Sequence, residues 1–197
     1  MLESQTYITN LKKFLGHVEV VEKSDSIQIH DGVDIIYSLV VEANRYSILI
    51  SERGTVSSFC TIQDTKFAQI YFAIFVKNTL ADIKLPLMPK IEDLTEELET
   101  LLDLFNQEGL APYYSVDSVE AQRVNLSTAS KRLYYVDASG REYDIAYLPN
   151  RFHQTFYSSI VNLENRREWL TEWVDYSDAI QKYEATLLGF SSEGIVK

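Results

Sequence analysis

The sequence predicts an α+β fold, antiparallel sheet packed by helices, and three observations carry that expectation. Two β-rich runs, IIYSLVVEA (35–43) and YSILISER (46–53), are rich in branched and aromatic residues and meet at a short polar turn. Helical periodicity stands on either side of them, before Gly16 and after Asp64. The same order of helix, strands and helix recurs after a Pro-rich break at 85–89.

Taken in order, Ile8, Leu11, Phe14 and Leu15 alternate with Thr9, Asn10, Lys12 and Lys13, the spacing of an amphipathic helix that Gly16 closes. VEVVEK (18–23) and SIQIH (26–30), joined at Ser24-Asp25, read as a hairpin. Asn44-Arg45 reads as the tight turn between the two strong strands, and Gly54 as the turn before TVSSFC (55–60). Asp64 is a good N-cap for TKFAQIYFAIFVKNTL (65–80), whose apolar surface is wide enough to be covered on more than one side. Leu85-Pro86-Leu87-Met88-Pro89 interrupts regular structure. It divides an N-terminal unit, 1–84, from a C-terminal unit, 91–197; two tandem helix-sheet-helix units and one continuous domain both remain open. In the second half a helix over 91–109 precedes strands YYSVDSV (113–119), KRLYYVD (131–137) and REYDIAYL (141–148), and 152–190 is mostly helical.

Composition narrows the class. Hydrophobic residues make up 46% of the 197 and charged ones 24%, with thirteen Tyr and nine Phe to fill a core, which excludes disorder. The single Cys60 closes no internal disulfide and reads as a buried hydrophobe. The chain has no apolar run of signal-peptide or membrane-spanning length, so a cytoplasmic protein without membrane contact is expected.

The charge is localised. Residues 1–90 hold ten acidic against nine basic side chains, and 123–197 again hold ten against nine. Residues 91–122 hold Glu92, Asp93, Glu96, Glu97, Glu99, Asp103, Glu108, Asp117 and Glu120 with no Lys or Arg, which is most of the net −11. At helical spacing, Ile91, Leu94, Leu98, Leu101, Leu102 and Phe105 gather on one side; Glu92, Asp93, Glu96, Glu97, Glu99 and Asp103 occupy the other. Acids in the first turn suit the helix dipole. Like charges four apart, as in Glu92 and Glu96 or Glu99 and Asp103, cost a few tenths of a kcal/mol per pair, more acidity than stability requires. The excess serves as a solvated face or meets a basic surface on a protein partner. Leu104 on that face, and Tyr113 and Tyr114 beside it, are the candidate contact residues. Trp169 and Trp173, one turn apart, read first as core. Direct binding of nucleic acid is not expected, since phosphates call for clustered Lys and Arg.

Catalytic patterns are lacking. His17, His30 and His153 show no metal-ligand spacing, Asp31-Gly32-Val33-Asp34 lacks the ligand alternation of a calcium loop, and no Gly-rich phosphate loop or Gly-x-Ser-x-Gly elbow occurs. No metal, cofactor or catalytic residue is therefore expected. The competing readings are a hydrolase-type enzyme whose site, assembled between the halves, uses His153 or Asp144, and a dimeric regulatory adaptor.

Glu52, Arg53, Gly54, Phe59, Thr61, Ala68 and Tyr71 lie within YSILISERGTVSSFCTIQDTKFAQIYF (46–72). That stretch resembles immunity proteins of bacterial polymorphic toxin systems, in which a strand ending in a Glu-Arg-Gly-like turn leads through a short strand into a helix. The resemblance implies a non-enzymatic protein, monomer or homodimer, that binds a cognate toxin and occludes or distorts its active site.

Overall fold

A computed structural model describes residues 5–32, 34–94, 98–147 and 152–197. The elements run α1 (Gln5–Leu15), β1 (Glu19–Glu22), β2 (Ser26–His30), β3 (Ile35–Glu42), β4 (Arg45–Glu52), β5 (Thr55–Ile62), α2 (Thr65–Leu80), α3 (Met88–Glu92) and α4 (Leu98–Gln107). After a short 3-10 turn follow β6 (Tyr114–Val116), β7 (Arg123–Ser127), β8 (Arg132–Val136), β9 (Glu142–Tyr147), α5 (Phe152–Thr171), α6 (Ser177–Lys182) and α7 (Glu184–Leu187). The α+β class with helix-packed antiparallel sheet is therefore what the chain forms. Among the described residues no helix is long and apolar enough to cross a membrane.

Two compact units divide the chain. The first comprises residues 1–82, 170–187 and 192–197, and the second residues 83–169 and 188–191. Whereas the sequence suggests one cut at the Pro-rich segment, the C-terminal residues after Trp169 largely belong with the first unit.

In the first unit β1 to β5 form one sheet in sequence order, every pair antiparallel. The β3–β4 turn is Ala43-Asn44, one residue earlier than the sequence suggests, because Glu42 pairs with Arg45 across it and accepts a hydrogen bond from Ser47 Oγ at 2.9 Å. At the next turn Arg53 (φ 49°) and Gly54 (φ 82°) both adopt the left-handed conformation that a two-residue hairpin requires. Asp64 caps α2 by accepting from the Phe67 N–H at 3.0 Å. The helix buries Phe67, Ala68, Ile70, Phe72, Ala73, Ile74 and Val76, so its wide apolar surface is indeed enclosed. One polar residue on it, Gln69, is buried: its side-chain Oε1 accepts from the Tyr176 hydroxyl and its backbone carbonyl from the Tyr7 hydroxyl, both at 2.9 Å. Trp173 packs among Tyr7, Phe14 and Tyr176 at centroid distances of 5.8, 5.3 and 5.3 Å. Gly194 lets the C-terminal segment approach the stacked rings of Phe67 and Tyr183; a Cβ there would stand 2.8 and 2.7 Å from them.

In the second unit the sheet order is β6-β7-β8-β9, with β6 and β7 parallel and the other pairs antiparallel. Three expectations are corrected here. The single acidic helix over 91–109 is instead two helices: α3 begins early, with Pro89 in its first turn where a missing N–H costs nothing, and it ends at Glu92. The strand expected over 113–119 stops at Val116, since Asp117 takes φ 53°, which extended backbone does not tolerate. RVNLS (123–127), not expected to be a strand, is β7, one of the two inner strands of this sheet. Phe105 on α4 packs edge-on against Phe156 at 5.5 Å and stacks with Tyr157 at 5.8 Å, both on α5. The stretch 152–190 is mostly helical as expected, in the form of α5, α6 and α7, of which α6 and α7 belong to the first unit.

Candidate protein-binding face

The acidic stretch belongs to the second unit. Its apolar side reaches the core at Ile91, Leu101 and Phe105, at most 2% exposed, while Leu94, Leu98 and Leu102 are half-buried. Burying these residues orients the carboxylates outward, and Glu92, Asp93, Glu99 and Asp103 are all exposed. None of the four forms an ion pair with another described residue. Glu96 and Glu97 lie outside the described residues.

The remaining acids of the stretch separate into two kinds. Glu108 is exposed on the turn after α4. Asp117 and Glu120 have structural partners instead: Asp117 accepts from the Thr128 N–H at 2.8 Å and from its Oγ1 at 2.6 Å, which holds the carboxyl below its ordinary range. Glu120 forms an ion pair with Arg123 at 2.8 Å. The nine acids counted in the sequence are thus not one surface property.

Leu104 and Tyr113 are half-buried. Tyr114 is also half-buried, and its ring meets Phe105 at 5.5 Å and Phe156 at 5.7 Å edge-on, so its body belongs to the core. Its hydroxyl reaches the surface and donates to Asn106 Oδ1 at 3.0 Å. Burial, and secondarily the Asp103 carboxylate, push its pKa up, which places Tyr114 within the field of the acidic face. Tyr114 is therefore joined to α4 through its ring, with its hydroxyl at the surface.

The residues of the hydrolase-type reading occupy other environments. Asp144, exposed on β9, is held below the usual carboxylate range chiefly by Arg132 and then by the Tyr147 hydroxyl. Arg132 also reaches Glu142 at 2.6 Å and lies 4.4 Å over the Tyr134 ring, so this cluster is a cross-strand charge lattice. His153 is 6% exposed, with its ring 4.1 Å from that of Phe152. Burial pushes the Cys60 thiol up to about 11, so at neutral pH it is not a nucleophilic thiolate. In the first unit a half-open cleft of about 450 Å³ is lined in part by Arg45, Asp64 and Tyr183. Asp64 is engaged in capping α2 and Arg45 in pairing with Glu42. Among the described residues no group of three or more His, Cys, Asp or Glu is arranged to hold a metal ion.

The connection from β6 to β7 spans only residues 117–122, begins at Asp117 and ends at Gln122 (φ 60°), and is held by the buried Asn125. Asn125 Oδ1 accepts from the Glu120 N–H at 2.8 Å, and its Nδ2 donates to the carbonyls of Glu120 and Arg123 at 3.0 and 2.8 Å. The only sequence signal was an Asn within an otherwise strand-like run. No protein-family model matches the chain, and comparison with curated proteins and with solved structures likewise finds no match.

Proposed function

We propose that the protein is a non-catalytic binding protein that engages a protein partner bearing a basic surface through the face of α3 and α4. The observation that carries this reading is the set of exposed carboxylates, Glu92, Asp93, Glu99 and Asp103, none ion-paired with a described residue, on helices anchored in the core by Ile91, Leu101 and Phe105. Four exposed carboxylates against the single exposed Lys90 of α3 leave a net negative surface, which raises the encounter rate with an oppositely charged partner and repels acidic ones. The half-buried Leu104 and Tyr113, with the Tyr114 hydroxyl, supply apolar and hydrogen-bonding contacts beside the charge.

The resemblance of residues 46–72 to immunity proteins of bacterial toxin systems specifies the partner under this reading: a cognate toxin with a basic active-site groove, bound in the cytoplasm and blocked without any cofactor. The test captures the partner from the native cell and measures its association with wild-type protein and with a Glu92→Lys, Glu99→Lys, Asp103→Lys variant over a series of salt concentrations. The association rate falls about tenfold or more in the variant and loses most of its salt dependence. An unchanged rate removes the acidic face from the mechanism.

A further inference from the structure

The edge of the first unit's sheet offers a second surface, independent of the acidic face. β5 is the last strand and pairs with β4 on one side only. Thr55, Val56, Ser57 and Ser58 are all exposed, Val56 to 61%. Sheet edges are commonly protected by a charge or a Pro. The whole of β5, TVSSFCTI, carries neither, in a chain of net charge −11. Because a two-residue turn joins β4 to β5, Glu52 and Thr55 form the hydrogen-bonded pair nearest the turn. Alternation then directs Thr55 and Ser57 toward β4 and turns the N–H and C=O of Val56 and Ser58 outward.

Past the bulge at Phe59 the same edge is already paired. Thr61 exchanges two hydrogen bonds with Val196, of 2.8 and 3.0 Å, in antiparallel orientation. The edge therefore accepts an extended antiparallel segment, and its uncovered part runs from the 53–54 turn to the start of that bridge.

We propose that β5 of a second copy of this chain fills the uncovered edge, antiparallel about a two-fold axis at Ser57. In that register Val56 faces Ser58 of the second copy and Ser58 faces its Val56, so outward groups meet outward groups and the ladder closes without a gap. Each copy's turn ends the pairing where the other's Thr61–Val196 bridge begins, so the two free segments match in length. Charge selects the same place: two copies repel through their net −11, and β5 is a stretch with no charge to contribute. A contact this short buries less than the roughly 1,200 Å² of a stable interface, so the dimer is weak.

The test is sedimentation velocity on the full chain, from about 10 μM to about 1 mM, a range that brackets weak association. The expected result is a reversible monomer–dimer equilibrium, abolished by Val56→Lys and by Ser58→Pro. Both side chains are exposed and the Ser58 N–H is not used by β4, so circular dichroism of both variants matches wild type. In the unmodified chain, exchange of the Val56 and Ser58 amides slows about threefold or more as concentration rises. A wild-type monomer throughout the range, a dimer that survives both variants, or concentration-independent exchange of those amides overturns the proposal. Loss of a different protein from Val56→Lys pull-downs, with the chain monomeric, assigns the edge to a foreign strand and equally overturns it.

Discussion

In the first unit each strand pairs with its neighbour in sequence, whereas in the second β6 and β7 run parallel across the short connection 117–122. Antiparallel neighbours need only a turn, and the 53–54 turn supplies one through Arg53 and Gly54 at positive φ. Parallel neighbours ordinarily need a crossover of a dozen residues or more. Here the return is achieved with two left-handed residues, Asp117 and Gln122, the Asp117–Thr128 clamp and the three hydrogen bonds of Asn125. Local chemistry thus suffices to specify the first sheet. The second relies on side chains that reach across the connection.

Three measurements probe that contrast. The largest effect is expected in the first unit, where α2 is enclosed: Phe72→Ala, at a position with no exposure, costs about 3–5 kcal/mol. Trp173 fluorescence in a Trp169→Phe background, followed through urea unfolding, reports it, since Trp173 belongs to that unit. Asn125→Ala should cost about 1–3 kcal/mol by leaving the Glu120 N–H without its acceptor. It should also speed amide exchange in 117–122 ahead of β3 and β4; uniform exchange across both sheets would show that Asn125 does not hold the parallel pair.

The smallest effect concerns the β8–β9 turn. Burial acts to raise the Asp137 carboxyl, but hydrogen bonds from Ser139, Arg141 and Tyr143 outweigh it and hold the carboxyl below its ordinary 3.8. A depressed folded pKa means that this stabilisation is fully present above the unfolded value and is lost as pH falls through the folded one. Asp137→Asn is expected to lose about 1 kcal/mol at pH 7 and to show a shallower decline in urea midpoint than wild type below pH ~4. Parallel curves for the two proteins would detach Asp137 from the acid sensitivity of the turn.

The strands of the first sheet were legible because their branched and aromatic runs end at polar turns, and α2 because Asp64 and its apolar periodicity coincide. β7 was not, since RVNLS is short, and its Asn reads as a loop residue until Glu120 and Arg123 provide its hydrogen bonds. The acidic face was half legible. Periodicity assigned Glu92, Asp93, Glu99 and Asp103 to the outside, and they are exposed there. The charge count over 91–122 grouped them with Asp117 and Glu120, whose carboxylates are occupied by Thr128 and Arg123.

By itself the sequence determined the α+β class, the hairpins of the first sheet and the location of the negative charge, because each depends on residues near one another along the chain. Only the tertiary structure decided that residues 170–187 and 192–197 return to the first unit, that β6 and β7 are parallel, that β5 has an open edge, and which acids are spent on structure. Those outcomes depend on pairings between distant segments, and a linear pattern of polar and apolar residues does not encode which distant segment completes a hydrogen bond or covers a side chain.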